Sequence, residues 1–412
     1  MAIANSQSSR ISAGPEREPQ RRGRACWAEI DLGAIAFNCQ ALCREIGPST
    51  ELMAVVKANA YGHGISGIAE TLVTAGASRF GVACVEEAVE LRTAGVDAPI
   101  LVLGYVPPWE ADRVVRLDLT VALATRELAV ALDAAARRIG RRALAHLKID
   151  TGMSRFGVLS SELVPFAGVV AALSGIEVEA VFTHLATADE PELPLASEQL
   201  REFDRACADL ARHGLMPPKR HALNSAGAFS FPEARFDIVR SGLMLYGLSP
   251  APIPSVPPLR PALTLRARIA RLRRLEPGTC VGYGCAFRAG RPTDLALLPI
   301  GYADGLSRAL SNRGAALVNG RRVPMVGRIS MDQCTIDVTD AGPLAEGDVA
   351  TLLGSDGDET IDAVEMAGWR DTIPYEVLTS LSIRIPRLYT RDRHTVTVAE
   401  NGAIVNNDSS SY

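Results

Sequence analysis

Lys57 closes the apolar run Met53-Ala54-Val55-Val56 and is followed by Ala58-Asn59-Ala60-Tyr61-Gly62-His63-Gly64. An amine therefore stands where a short buried strand ends, beside a phenol, an imidazole and two glycines. A lysine closing a buried strand ordinarily points into solvent as a cap. Held against low-dielectric surroundings instead, its ammonium form is disfavoured and the amine becomes a usable nucleophile or base, as a Schiff-base lysine must be. Taken alone, the segment would better suit an edge lysine on a tight turn.

Other segments with chemical side chains follow in order. They include His146-Leu147-Lys148-Ile149-Asp150-Thr151-Gly152-Met153-Ser154-Arg155, Thr183-His184 with Asp189, Asn224-Ser225, and Val239-Arg240-Ser241-Gly242-Leu243. Gly282-Tyr283-Gly284, Gly301-Tyr302-Ala303-Asp304-Gly305, Gly327-Arg328 with Met331-Asp332, and Tyr375-Glu376 complete the series. Each match is short, but their order over Trp27 to Tyr389 resembles the alanine racemases, enzymes that use pyridoxal 5'-phosphate to interconvert L- and D-alanine.

The resemblance implies roles. Lys57 would form the Schiff base (aldimine) and act on one face of the substrate, while Tyr283 would be the second base on the other. His184 would hydrogen-bond Tyr283, which must be activated because a free phenol titrates near pH 10. Arg240 would donate to the pyridine nitrogen; unlike a carboxylate partner, it cannot keep that nitrogen protonated. Arg155 would bind the substrate carboxylate and the cofactor phenolate oxygen. Lys148 matches a lysine that CO₂ carbamylates, giving an anion able to orient Arg155. Tyr61, Asn224, Ser225, Gly242, Leu243 and Tyr375 would hold the cofactor, without a lysine on the phosphate. Met331 falls at a substrate-binding position, and Asp189, Tyr302, Arg328 and Asp332 at entry-channel positions. Since Tyr283 would come from the partner subunit, a homodimer with shared sites is implied. Individually these residues have plainer readings: Tyr283 as a turn residue, His184 as a core histidine, Arg240 as a rim arginine, and Lys148 paired with Asp150.

Short apolar, often β-branched runs must position these groups: Met53–Ala58, Phe80–Ala83, Ile100–Leu103, Thr120–Leu123, Ala145–Ile149, Val178–Thr183, His221–Leu223 and Ile238–Arg240. Segments of helical period separate them, so the expected class is α/β with a parallel sheet. Eight units in about 200 residues fit a (β/α)8 TIM-like barrel. Periodicity alone does not separate it from a doubly wound sheet; the resemblance does. Lys57, Lys148, His184, Asn224 and Arg240 then fall at strand C-terminal ends, where barrels carry active sites. The Pro-rich run at 250–261 reads as an extended linker to a mostly β C-terminal domain. The expected organisation is a disordered arm (1–24), a cofactor-binding barrel (25–260) whose first strand could pair with the second domain, a β-rich domain (261–395) and a tail (396–412).

With 412 residues, two cores are expected, since single cores stop growing near about 250–300 residues. A net charge of −4, with 22% charged and 47% hydrophobic residues, argues against a nucleic-acid surface. Eight cysteines at no disulfide-like spacing, with no Cys-x-x-Cys pair, predict free thiols and no metal site. No membrane-spanning stretch or export signal is read, so a cytoplasmic enzyme is expected. Alanine is the expected substrate, with D-alanine supply for peptidoglycan the implied role. The alternatives are a racemase of broader specificity and, behind it, a same-fold amino-acid decarboxylase.

Overall fold

A computed structural model describes residues 23–405 except Pro191, Pro254 and Arg393. Eight parallel strands form the barrel: Glu51–Val55, Arg79–Val82, Ile100–Val102, Leu119–Leu123, Ala143–Asp150, Ile176–Phe182, Lys219–His221 and Ile238–Ser241. The eighth pairs with the first. Between the seventh and eighth, Asp237 N–H donates to Arg220 O and Arg240 N–H to Leu223 O, both at 3.1 Å. Each expected run contains or touches one of these strands, with ends displaced by a few residues.

Strands such as Ile100–Val102 and Leu119–Leu123 are apolar along their length because a parallel barrel covers both faces. All five residues of Leu119–Leu123 are buried. The helices bury only one stripe. In Arg126–Ile139 that stripe includes Leu128, Ala129, Leu132, Ala135 and Ala136, and the Thr125 hydroxyl caps the helix by accepting from Leu128 N–H. Phe203, fully buried on the Pro194–Arg212 helix, fills the space beneath. Its truncation to alanine would cost about 3–5 kcal/mol. At the N-terminal end of the barrel, Glu51 pairs with both Arg79 and Lys219, and Arg79 also lies 3.7 Å from Glu179. Polar residues thus close the floor and leave the opposite end for chemistry.

The strand Cys26–Asp31 precedes the barrel but does not join it. It pairs antiparallel with Leu263–Arg268 and parallel with Arg387–Arg391. This sheet runs on one side to Val349–Asp356, Ala315–Val318 and Arg321–Pro324, and on the other to His394–Glu400 and Ala403–Val405. Arg271–Leu275, Thr293–Leu298 and Cys334–Asp337 form a second sheet. The stretch from Leu263 to Leu275 is two strands in different sheets, broken at Ile269-Ala270. The described residues of the Pro-rich run carry no helix or strand. Residues 396–405, expected in the tail, are mostly strand, because they pair onto Arg387–Arg391. The rest of that tail and residues 1–22 of the arm lie outside the described residues. Arg24, the end of the expected arm, ion-pairs with Asp304.

The two layers meet at the Lys57 turn. Arg387 Nε donates to Gly62 O at 3.2 Å and the Tyr389 hydroxyl to His63 O at 3.1 Å, both buried. Second-domain residues thereby hold the loop that follows the first barrel strand.

Candidate active site

Lys57 is followed by four residues of left-handed backbone, with φ of 53° at Ala58, Asn59 and Ala60 and 52° at Tyr61. Each non-glycine residue there costs about 1–2 kcal/mol, so the surroundings must impose the turn. Ala60 N–H donates to Val56 O at 2.8 Å, and Asn59 Oδ1 accepts from Ile65 N–H at 3.0 Å. Glu87 accepts from Ala58 N–H at 2.6 Å and from Ala83 N–H at 2.7 Å. The turn leaves the Lys57 side chain at the open mouth while Tyr61 is buried. Partial desolvation there lowers the Lys57 pKa, the charge of Arg155 lowers it further, and Glu87 opposes both. A larger fraction of free amine results.

Tyr61 lies against Tyr246 and Tyr375, with ring centroids 5.0 and 6.0 Å away. Burial raises the Tyr61 pKa and pushes Tyr375 up to about 12, so both phenols stay protonated donors. A Cβ on Gly242 would overlap the Tyr61 hydroxyl, which is why this position is glycine. Ser225 Oγ accepts from Gly242 N–H at 2.9 Å and lies 3.2 Å from Ser241 Oγ. Leu243 opens a short 3₁₀ turn, where its N–H has no preceding turn to donate to. Asn224 Oδ1 accepts from Gly227 N–H at 2.9 Å and fixes the chain beside Ser225. Hydroxyls and backbone N–H groups thus converge on one small anion cradle.

Arg240, 3% exposed, commits its guanidinium to protein acceptors. Nη1 donates to His221 Nδ1 at 2.7 Å; Nη2 donates to Thr183 O, Ala222 O and His184 Nδ1 at 2.9, 2.8 and 3.1 Å. Burial pushes its pKa down to about 9, so it remains charged at neutral pH. Arginine can only donate, so both histidines must accept at Nδ1 and keep their proton on Nε2. Burial, then the Arg240 charge, holds both well below the usual imidazole range. His221 Nε2 is 2.9 Å from His146 Nδ1, and His146 Nε2 is 3.5 Å from Glu179, too far for a full hydrogen bond. Among the described residues, Arg240 Nε has no protein partner.

Lys148 is 7% exposed and donates to Ile149 O at 2.7 Å. Burial and then Arg240 bring its pKa to about 7. The expected alternative, a pair with Asp150, is not formed. Asp150 instead accepts the backbone N–H groups of Gly152, Ser154 and Arg155 at 2.9–3.0 Å. That loop presents Arg155 in the open, where its charge acts on Lys57, Lys148 and His184. Asp189 lines a cavity of about 380 Å³ with Glu192, Phe229 and Ile253, and its charge raises Tyr375.

The remaining expected residues collect on the second domain. Tyr283 is 70% exposed on a turn whose Gly284 lies over the Arg328 guanidinium. Tyr302 N–H donates to Ser330 O and Ala303 N–H to Met331 O, while Asp332 pairs with Arg384 at 2.8 Å. Met331 is 54% exposed. Among the described residues, no hydrogen bond or ion pair joins Tyr283, Tyr302, Arg328, Met331 or Asp332 to the barrel-mouth set.

The chain matches the family model described as alanine racemase, N-terminal domain, over residues 30–250, and the C-terminal domain model over residues 262–389. The chain belongs to the alanine racemase family. It is 49% identical to the alanine racemase of Symbiobacterium thermophilum over 89% of this chain and 97% of that one. It is 43% identical to that of Carboxydothermus hydrogenoformans, covering 89% and 100%. The solved alanine racemase of Bacillus anthracis with bound L-Ala-P superposes at a TM-score of 0.88 with 36% identity, covering 92% and 99%. The Bartonella henselae alanine racemase with covalently bound pyridoxal phosphate superposes at 0.79 with 32% identity, covering 89% and 99%. Among the described residues, no helix is long and apolar enough to cross a membrane.

One expectation is overturned. Cys280 and Cys285 are not free thiols: their sulfurs are bonded to one another, bracketing Gly282-Tyr283-Gly284. The other six cysteines are free, four of them buried. The five-residue spacing gave no signal because a disulfide this local depends on a turn that brings the Cα atoms to 4.9 Å. Glu87 and the pair His146–His221 were also missed. His146 could have been found, since it stands two residues before Lys148 on one strand and so shares its face.

Proposed function

We propose that this member of the family interconverts L- and D-alanine with pyridoxal 5'-phosphate held at the barrel mouth. The donor set fits that cofactor. Tyr61, Ser225, Gly242, Leu243 and Tyr375 offer hydroxyl and N–H donors to a phosphate dianion, Asn224 fixes Ser225, and Arg240 Nε–H is left for a pyridine nitrogen. When bound, the cofactor delocalises the charge left by loss of the substrate's α-proton. Lys57 supplies the amine that holds the cofactor, and its lowered pKa lets it take and return a proton on one face. Arg155 binds the substrate carboxylate, and Met331, from the second domain that also carries Tyr283, meets the substrate from the other side. Lys148, with a substantial free-amine fraction near neutral pH, suits addition of CO₂, and the resulting anion would hold Arg155 by charge.

Tyr283 serves the opposite face. His184, with its Nδ1 occupied by Arg240, retains an Nε2–H that can donate to a phenolic oxygen and favour its ionised form. Among the described residues no hydrogen bond or ion pair joins Tyr283 to the barrel-mouth set, which supports a homodimer in which Tyr283 of the partner subunit completes the site. Asp189, Tyr302, Arg328 and Asp332 then flank the entry. The reading carries with it a cytoplasmic enzyme supplying D-alanine for peptidoglycan, as the resemblance implies.

The observation that carries this reading is the Arg240 cluster, a buried cation whose acceptors leave Nε–H unspent. The test is racemisation of small L-amino acids with and without added cofactor, with borohydride treatment and peptide mapping. Alanine turnover that needs the cofactor, and a pyridoxyl mark on Lys57, are expected. Turnover without cofactor, or a mark elsewhere, refutes it.

A further inference from the structure

Tyr283 is held by its backbone alone. Among the described residues its hydroxyl has no partner, and its hairpin, Cys280-Val281 against Phe287-Arg288, pairs over two residues a side. So short a ladder is marginal by itself. Gly282 and Gly284, at φ of 70° and 68°, place the tyrosine between the two residue positions with the widest backbone freedom. Cys285 follows at φ of 48°, a region an L residue does not prefer. The Cys280–Cys285 bond ties the end of this turn to its start. Cys285 N–H donating to Gly282 O at 3.3 Å and Asn312 Nδ2 donating to Ala286 O at 3.0 Å add to the hold, and beyond the ladder Ala289 N–H donates to Thr279 O at 2.9 Å, but none of these reaches Tyr283 itself.

We propose that the Cys280–Cys285 disulfide positions Tyr283 for proton transfer, so that the racemase works faster with this bond formed than with it reduced. The inference rests on Tyr283 being the second base. A disulfide across so short a loop adds the least to overall stability, because its constraint on the unfolded chain grows with loop length. Its effect is therefore local. In a reducing compartment such a bond is open to exchange, and Cys280 is exposed. Reduction by a dithiol breaks the S–S bond through a mixed disulfide. Two electrons and two protons pass to the cysteine pair, and the reductant leaves as its cyclic disulfide.

The test uses the cofactor-loaded enzyme with and without dithiothreitol. Alkylation under denaturing conditions should mark six cysteines before reduction and eight after. Reduction should lower kcat roughly tenfold, with KM changed less than about twofold, as expected for a displaced catalytic group. In deuterated water it should slow α-hydrogen exchange from L-alanine and spare exchange from D-alanine, while the melting temperature stays put. The Cys280→Ser/Cys285→Ser variant should match the reduced enzyme and ignore dithiothreitol. Eight markable thiols at the outset, equal rates in both redox forms, a melting loss that slows both exchanges alike, or a double variant that still responds would each overturn the proposal. Tyr283→Phe run alongside separates the two ideas. If it keeps full rate, the second-base reading fails; if it is inactive and reduction changes nothing, only the disulfide's role fails.

Discussion

Arg240 Nη1 donates to His221 Nδ1 at 2.7 Å, and His221 Nε2 lies 2.9 Å from His146 Nδ1, so one guanidinium fixes the proton positions of two buried imidazoles in series. The His221 ring is also stacked on Phe182, with centroids 4.6 Å apart. His221→Phe should keep much of the stacking and remove the acceptor, leaving a buried N–H unpaired. Denaturant unfolding should show a loss of about 1–3 kcal/mol. Racemisation should fall by about tenfold or more as Arg240 shifts. Unchanged stability and rate would mean that Arg240 needs no support from this ring.

Acid should unfold the barrel earlier than its carboxylates alone would require. His63, His146, His184 and His221 all have pKa values below the ordinary 6.5 in the folded chain, His63 at about 4, each mainly through burial. The unfolded chain therefore binds more protons between pH 6.5 and those lowered values, and stability falls as pH falls through that window. For His63 alone, a shift from 6.5 to about 4 is worth about 3 kcal/mol. Glu179, held below its ordinary 4.5 by the neighbouring His146 and by the charge of Arg79, adds a loss as pH falls below that value. Melting temperature measured from pH 8 down to 4 should begin to drop near 6.5. A flat profile down to pH 5 would contradict the buried, neutral histidines.

Lys148 offers a test through CO₂. With a pKa of about 7 its free amine is plentiful at neutral pH, and carbamate formation, which consumes the free amine and releases a proton, should increase as pH rises through that value. Labelled bicarbonate should give a carbamate signal in the native enzyme that Lys148→Met lacks. Degassing should lower activity of the native enzyme several-fold. Equal signal in the variant would place the carbamate elsewhere.

For Tyr283→Phe, turnover should collapse in both directions, since inversion needs a proton donor on each face. Exchange should divide by enantiomer. In deuterated water the variant should still exchange the α-hydrogen of D-alanine through Lys57 and exchange that of L-alanine far more slowly. Equal exchange from both enantiomers would require one base on both faces.

Most of the barrel strands were legible because they are short apolar runs buried on both sides, a pattern that survives without tertiary knowledge; that they close into a barrel rather than an open sheet came from the resemblance. Lys57, His184 and Arg240 were legible only through the resemblance, because a lysine, histidine or arginine at a strand end also has a plain structural reading. The support beneath them was not. Glu87 accepts Ala58 N–H across 29 residues of sequence, and Arg240 meets its histidine partners across 19 and 56. Local pattern carries no trace of such pairings. The left-handed run Ala58–Tyr61 was invisible because its residues have no preference for that backbone, which the surroundings impose. For Cys26–Asp31 the expectation went no further than a first strand that could pair with the second domain; its partners at both far ends of that domain show where it belongs.

That strand sets an order of events during synthesis. Cys26–Asp31 leaves the ribosome first, yet one of its neighbours, Arg387–Arg391, is made almost last. A nascent chain that has just completed its barrel therefore carries an apolar strand with both edges open, an invitation to pair wrongly with another chain. Cutting the molecule at the Pro-rich run would strand that segment on one fragment and remove the middle of the sheet from the other. The sheet around Cys26–Asp31 is thus completed only when the carboxyl end has been made.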